Sequence, residues 1–412
     1  MVAMVALVLL HLPAQDPVVA TTLLGLFPDS MAVDDQTGRA FVANSLDTTV
    51  DVLDINSGRV LLSRTVGSNG GAHPEAVVVD TRDNRVFAAT DDGLISMLDA
   101  SSGALLRARS VGGSVQTMAV DERRRRLFVA DVDSGSVTML DARSGVILHR
   151  SAAGTFPQEL GVEERTDRVF VADSADDAVT MLDAATGTVV RVVHVGFVPR
   201  GMAVSVPLGR MFVAPAGGSS VRVLDARSGA PLRMIVLGHR SRARFSPQAS
   251  LAIDERTGHL FVATGTWVRM LDARTGKLLH RAFTTSPVVG MAIGGGSSHC
   301  LAITRGAIDG RGHLRGDGAV LVLDTRTGMV ERSVAVGAGP RSIVLDERRK
   351  RALVVNTNVN TDGSVLHLPT AHASWLQRIP WLGERLPWLV RPSASADGRG
   401  SITVLDLSRL YR

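Results

Sequence analysis

The sequence contains 412 residues, of which 45% are hydrophobic and only 4% are aromatic, and its formal net charge is +5. The single cysteine, Cys300, excludes an internal disulfide and is predicted to be a buried apolar residue of a strand. Short basic clusters such as ERRRR at 122–126 adjoin acidic residues and do not form the continuous stripe that nucleic-acid binding requires. The composition therefore predicts no nucleic-acid partner.

The chain begins with an apolar segment, residues 1–17, whose hydrophobic run of about a dozen residues is shorter than the roughly 20 needed to span a bilayer. The run resembles the apolar core of a signal peptide, with Ala14 as the cleavage position, although no basic leader precedes it. The segment predicts export, so we expect an extracytoplasmic protein that is periplasmic, secreted or at the cell surface. A truncated anchor and a cytoplasmic location are the alternatives.

A segment that contains Leu-Asp at its centre recurs along the rest of the chain, as in SVTMLDARSG at 136–145 and AVTMLDAATG at 178–187. Three consecutive steps between these aspartates are 42 residues long, and such a period is the signature of repeat proteins. We expect each Asp to accept hydrogen bonds from backbone N–H groups one or two residues further on, and the following Gly to supply a positive φ. The recurring aspartates are Asp54, Asp99, Asp141, Asp183, Asp225, Asp272, Asp324 and Asp406.

Each repeat contains four short apolar runs separated by polar or Gly-containing turns every 8–12 residues, which is typical of strands and not of helices. Four strands and a period of 40–50 residues predict an all-β fold, a single β-propeller of four-stranded antiparallel blades. Counting strands by type gives eight blades, with seven as the alternative. The strand at 18–25 has no partner in its own repeat and is predicted to close the last blade, which removes an exposed sheet edge.

The stretches FVADSADDAVTMLDAATGTVVRVVHVGFVPRGMAV (170–204), LVVN (353–356) and SITVLD (401–406) resemble the YVTN-type propeller repeats of bacterial and archaeal surface and periplasmic proteins. The resemblance covers nearly the whole chain from about residue 18, so it implies one propeller domain, 18–412, with insertions at 305–318 and 357–400. Propellers of this kind are related in form to WD40 repeats. The resemblance is specific for fold and does not specify an activity.

The sequence contains no motif for a metal, a nucleotide or a covalent haem, so we expect no cofactor, no metal ligand and no catalytic residue. The segment DVDSGS at 131–136 begins like a calcium loop, but Ala142 stands where a bidentate Glu is needed. Small polar residues in this segment are explained by turn formation.

One register position, just before or at the start of each first strand, is predicted to ring the mouth of the central channel. Acidic residues occupy it in blades one and two, and arginine occupies it in blades five and eight. These residues either form a polar binding funnel or belong to the solvated, polar channel entrance that any propeller has. The candidate binding residues are Asp29, Glu75, Gln116, Gln158, Arg200 and Arg341, with Gln248 and Val289 as less secure members.

The insertion in blade eight contains R-[IL]-P-W-L twice within 378–392, and it holds Trp375, Trp381 and Trp388. Its prolines disfavour one continuous helix. The segment 375–391 is interpreted as a lid packed over the propeller face, with contact to a partner or to a membrane surface as the alternative, because Trp and Arg favour both.

Both insertions and the candidate mouth residues are expected on one face, and variable loops on a rigid scaffold commonly carry binding. The leading hypothesis is a monomeric, non-enzymatic binding or interaction scaffold for a protein or a small polar ligand. A propeller enzyme, of lactonase-like or quinoprotein-like type, is one alternative, although the apolar first strands offer few metal ligands. A cell-surface structural protein is the other.

Overall fold

The structure is a computed structural model that describes residues 16–67, 71–216, 219–238, 249–308, 314–315, 317–357 and 399–411. Within these ranges the chain forms eight four-stranded antiparallel sheets and one two-stranded ladder. The sheets are the blades of a β-propeller, as the repeat length predicted.

The first four blades follow the chain without interruption, each running from an inner strand to an outer strand. Their strands are β2 (Pro28–Asp34), β3 (Arg39–Asn44), β4 (Thr49–Asp54) and β5 (Val60–Thr65); β6 (Pro74–Asp80), β7 (Arg85–Thr90), β8 (Leu94–Asp99) and β9 (Leu105–Ser110); β10 (Val115–Asp121), β11 (Arg126–Asp131), β12 (Ser136–Asp141) and β13 (Ile147–Ala152); and β14 (Pro157–Glu163), β15 (Arg168–Asp173), β16 (Ala178–Asp183) and β17 (Val189–His194).

Blades five to seven continue the same order, and blade eight combines both ends of the chain. Their strands are β18 (Pro199–Ser205), β19 (Arg210–Pro215), β20 (Ser220–Asp225) and β21 (Pro231–Val236); β22 (Ala249–Asp254), β23 (His259–Thr264), β24 (Trp267–Asp272) and β25 (Leu278–Phe283); β26 (Val288–Ile293), β27 (His299–Thr304), β30 (Ala319–Asp324) and β31 (Val330–Ala335); and β32 (Pro340–Asp346), β33 (Arg351–Asn356), β34 (Arg399–Asp406) and β1 (Val18–Leu26).

The closing strand β1 pairs antiparallel with β34, so that Val18 lies opposite Leu405 and Leu23 lies opposite Ser401. Each inner strand packs beside the inner strand of the next blade, and β32 packs beside β2, which completes the ring. The prediction of eight blades closed by the N-terminal strand is therefore confirmed, and the alternative of seven blades is wrong.

The core lies between neighbouring blades, because the second strand of each blade is covered on both faces. Phe128 of blade three, for example, packs with Val169 and Leu182 of blade four. The equivalent side chains of the second strands, all at most 2% exposed, are Phe41, Phe87, Phe128, Phe170, Phe212, Phe261, Leu301 and Leu353. Cys300 belongs to this buried layer, as predicted, and burial raises the pKa of its thiol far above the usual range.

The recurring aspartates build the turn between the third and fourth strands. In blade five, Oδ1 of Asp225 accepts hydrogen bonds from the N–H of Ser228 (2.7 Å) and from its hydroxyl (2.6 Å). The N–H of Arg227, two residues on, donates to the same oxygen at 3.2 Å, as the sequence predicted. The bonds also reach Ser228 because the turn closes on the N–H of Gly229, which donates to the Asp225 carbonyl at 2.9 Å. The equivalent glycines of seven blades have φ between +68° and +76°, a region that favours glycine.

Blades seven and eight, which carry the insertions, each have one additional element. In blade seven the short strands β28 (Ala307–Ile308) and β29 (Leu314–Arg315) pair with each other within the first insertion. In blade eight, Asp406 caps the helix α1 (Leu407–Leu410) by accepting from the N–H of Ser408. In the described ranges, the structure has no helix that combines the length and apolar character needed to cross a membrane.

Candidate functional site at the channel mouth

A β-bulge is shared by seven of the eight inner strands. The register shifts between the first and third residue of the strand, so the second residue is unpaired, and bulges of this kind redirect a side chain. This second position is the register position proposed from the sequence. Its residues are Asp29, Glu75, Gln116, Gln158, Arg200, Val289 and Arg341.

Blade six departs from the pattern. Its inner strand begins at Ala249, which lies opposite Thr264, and the ladder then runs without a register shift. The described part of blade six therefore adds no bulge residue to the mouth. Gln248, the residue proposed for this blade, lies outside the described residues.

Asp29 and Arg341 meet where blades eight and one join. Arg341 Nε lies 3.0 Å from Asp29 Oδ1, and the Arg341 guanidinium lies 5.0 Å from the centre of the Phe27 ring. Phe27 is 1% exposed and has a φ of 50°, which non-glycine residues adopt rarely. A strained residue, an ion pair and a cation–π contact thus fix the mouth at the closure of the ring.

Glu75 lies beside this pair and is only 8% exposed. Burial raises its pKa well above the usual range, and the nearby Asp29 and Asp91 carboxylates add to the rise, while Arg341 opposes it. Its Oε1 atom is buried and has no hydrogen-bond partner within the described chain. The unpaired carboxyl group of Glu75 therefore lies in a position that disfavours its ionised form.

Arg305 is a charged residue of the mouth that was not among the candidates from the sequence. Burial lowers its pKa to about 10, with a further lowering from Arg341 and an opposing effect of Asp29. Its position could have been recognised from the repeat. Arg305 directly follows β27, as Asp91 directly follows β7, and both N–H groups donate to a carbonyl shortly before the neighbouring inner strand.

The opposite half of the mouth contains a cavity of about 340 Å³ between the inner strands of blades four to seven. Arg200 lines this cavity together with Glu159, the residue directly after the bulge of blade four. Glu159 was also missed from the sequence. The sequence feature that could have identified Glu159 is its position, because the equivalent position in other blades holds a small residue such as Ser30 in blade one and Gly201 in blade five.

The remaining candidates have separate surroundings. Oε1 of Gln158 accepts from the hydroxyl of Ser174 at 3.5 Å, and Gln158 Nε2 is buried with no partner in the described ranges. Gln116 is half-buried in blade three. The structure thus brings Asp29, Glu75 and Arg341 together and places Arg200 apart from them. Trp375, Trp381 and Trp388 lie outside the described residues.

The basic cluster at 122–126 forms the turn between β10 and β11, where its arginines pair with acidic residues. Arg124 lies 2.5 Å from Asp167, and Arg125 lies 2.8 Å from Asp83. Arg123 also pairs with Asp167, and Arg126 lies 3.2 Å from Asp141. These side chains connect neighbouring turns within the ring. Among the residues that the structure describes, no group of three or more His, Cys, Asp or Glu side chains is placed to hold a metal ion.

Solved structures with the same architecture are very different in sequence. The computationally designed Ika8 protein is 15% identical, with a TM-score of 0.64, and the alignment covers 81% of this chain and 95% of that one. BamB from Moraxella catarrhalis is 16% identical, with a TM-score of 0.51 and coverage of 67% and 82%. The dihydro-heme d1 dehydrogenase NirN, in complex with DHE, is 16% identical, with a TM-score of 0.60 and coverage of 79% and 69%. At these identities the similarity shows the propeller fold alone.

Sequence comparison assigns the chain to a family of β-propeller repeats. No curated protein matches the sequence. A family model described as outer membrane protein assembly factor BamB matches residues 46–190 and 133–348, so the overlapping matches span well over half of the 412 residues. The match supports a propeller repeat family and does not distinguish the YVTN type within it. By this match the chain belongs to the family of the outer membrane protein assembly factor BamB.

Proposed function

We propose that this protein is a non-enzymatic, extracytoplasmic binding scaffold that engages a protein partner through the insertion-bearing face and the mouth of its channel. Membership of a family described as an outer membrane assembly factor supports both the location and the kind of partner. The first residues, 1–17, would direct export, and the propeller would act as a monomer. The Trp-containing segment 375–391 would belong to the same face.

The observation that carries the proposal is the chemical variety of the bulge position. The turns on the opposite face are nearly uniform, and their aspartates are occupied by hydrogen bonds within each turn. The bulge position instead changes from acid to amide to arginine around the ring while the backbone geometry stays the same. A rigid backbone that presents different side chains at equivalent points is suited to recognising one partner surface.

The charge distribution indicates how such a partner would be oriented. The part of the mouth formed by blades seven, eight, one and two has acidic groups at Asp29 and Glu75 and basic groups at Arg341 and Arg305. Glu75 Oε1 is buried and has no hydrogen-bond partner within the described chain. Complementary polar groups on a partner would determine the orientation and the association rate of the complex more than its affinity.

Site-specific photo-crosslinking in the source cells tests the proposal. A photoreactive residue replaces Gln116 at the mouth, and a matched variant carries the same group at Ala185, an exposed residue in a turn of the opposite face. We expect a discrete protein adduct from position 116, absent from position 185 and reduced by an added Glu75→Ala substitution. Equal adducts from both faces, or none from position 116, would contradict a partner-binding mouth.

A further inference from the structure

A cavity of about 340 Å³ lies between the inner strands of blades four to seven. Gly201, at the third position of β18, and Ser250 of β22 border it. The described part of blade six has no bulge residue. The cavity volume is near the lower end for small-molecule sites.

Two oppositely charged groups line the cavity without satisfying each other. Glu159 accepts a hydrogen bond from the N–H of Met202, but its Oε2 atom is buried and has no partner in the described chain. Nε of Arg200 is likewise buried without a partner there. Buried polar atoms are normally hydrogen-bonded, so unpaired atoms on two side chains that line one cavity indicate that the protein alone does not satisfy this pair.

The pKa shifts of Glu159 and Arg200 agree with a polar binding site beside the two side chains. Burial raises the pKa of Glu159 to about 8, although the Met202 N–H and the Arg200 charge act in the opposite direction. Burial also lowers the pKa of Arg200 to about 10, with Glu159 opposing the change. Each group thus lacks solvation, and the opposite charge of its neighbour offsets that loss only in part.

Most of the remaining lining residues are apolar, and Ser250 is the polar exception. Met202, Leu251, Val289 and Met291 border the same cavity as the two charged groups. The bulge residue of blade seven is Val289, so an aliphatic side chain stands where other blades have a polar one. The site combines one cation, one acceptor and a short aliphatic wall.

We propose that this cavity binds a small carboxylate with an adjacent N–H donor and a short aliphatic group, the chemistry of an α-amino acid or of the last residue of a peptide. The carboxylate would occupy the fork of the Arg200 guanidinium, which suits bidentate binding. The N–H would donate to the carboxyl group of Glu159, and the aliphatic group would contact Met202, Leu251 and Val289. The inference rests on the proposed function, since the cavity opens at the same mouth.

Isothermal titration calorimetry of the full-length protein with three probes tests it. L-Leucine has a carboxylate and an ammonium group, N-acetyl-L-leucine has a carboxylate and an amide N–H, and L-leucinamide lacks the carboxylate. We expect at least one of the two carboxylate probes to bind at least about tenfold more tightly than L-leucinamide, because L-leucinamide cannot form the charged hydrogen bonds to Arg200. Binding of L-leucine alone identifies a free amino acid, and binding of N-acetyl-L-leucine alone identifies a peptide C-terminus.

Variants assign the contacts. Arg200→Gln should weaken the binding of either carboxylate probe at least about tenfold. Glu159→Gln should weaken the binding of L-leucine by a similar factor. The same variant should change the affinity for N-acetyl-L-leucine by less than about threefold, because the Gln carbonyl still accepts an N–H. Val192→Ala, at an exposed position of the outer strand β17, is the control, and melting temperatures verify that each variant is folded.

The proposal is overturned if neither carboxylate binds with a Kd below about 1 mM, if L-leucinamide binds as tightly, or if Arg200→Gln leaves the affinity unchanged in a folded protein. Failure of this inference can be told from failure of the proposed function. Crosslinking from position 116 would persist if only the small-ligand site were wrong, and it would be lost if the mouth bound no partner.

Discussion

At the level of single residues, the turn aspartates contribute stability through their side-chain hydrogen bonds. Asp225→Ala removes the acceptor of the Ser228 N–H and hydroxyl, so we expect a loss of about 1 kcal/mol in the free energy of unfolding, measured by urea denaturation at pH 7. Asp225→Asn is the matched control, since its carbonyl can still accept these bonds and should cost less. Equal losses for both variants would contradict the capping role.

The same site predicts a pH dependence. The Ser228 hydroxyl, followed by the Ser228 and Arg227 N–H groups, lowers the pKa of Asp225 below its usual value. The stabilisation is therefore fully present above the unfolded-state pKa of about 3.9 and is lost as the pH falls through the folded-state pKa. The difference between wild type and Asp225→Ala should shrink on acidification, whereas Asp225→Asn should show no such titration.

Glu159 should act in the opposite sense. Its folded-state pKa of about 8 exceeds that of an unfolded Glu, so its ionisation destabilises the fold as the pH rises between the two values. Glu159→Gln removes this ionisation, and one pKa unit corresponds to about 1.4 kcal/mol. We expect the variant to gain at least about 1 kcal/mol over wild type between pH 5 and pH 9, measured by urea denaturation. A difference that stays constant with pH would refute a buried, protonated Glu159.

At the level of the strands, blades five and six approach each other closely through a glycine. A Cβ at Gly201 would lie 2.6 Å from the backbone oxygen of Ala249, whereas a Cβ at Gly161 on the inner strand of blade four would meet no atom within 4 Å. Gly201→Ala should therefore cost about 1–3 kcal/mol, because backbone cannot move aside as a flexible side chain can. Gly161→Ala is the matched control and should be neutral or slightly stabilising. Similar melting temperatures for the two variants would contradict the close approach.

Strand prediction from the sequence succeeded where each repeat carries its own signal. The apolar run that contains Phe128, followed by the Leu-Asp segment, was sufficient to predict β11 and β12, because hydrophobic alternation and turn chemistry are local. The bulges were not predicted as bulges. Their register shift appears only when the inner strand pairs with its neighbour, as between Pro157 and Glu159 on β14.

At the level of the whole molecule, closure by β1 should determine whether the ring is stable. Deleting residues 1–26 removes β1 and leaves the edge of β34 unpaired, so we expect aggregation or a fall of many degrees in melting temperature. Deleting residues 1–15 retains β1 and should leave stability unchanged. Thermal melts and light scattering of both proteins provide the measurement. A monomeric 1–26 deletion with an unchanged melting temperature would refute the closure.

The sequence by itself determined the repeat, the all-β class, the eight blades and the register position that supplies the mouth residues. These features follow from patterns of hydrophobicity and turn residues that lie within about 45 residues of chain. Only the tertiary structure decided which mouth residues meet. Asp29 pairs with Arg341 because ring closure brings the two ends of the chain together, and Glu159 joins Arg200 because neighbouring blades share one cavity. Such contacts depend on the packing of whole blades against each other, and no local pattern of residues specifies that arrangement.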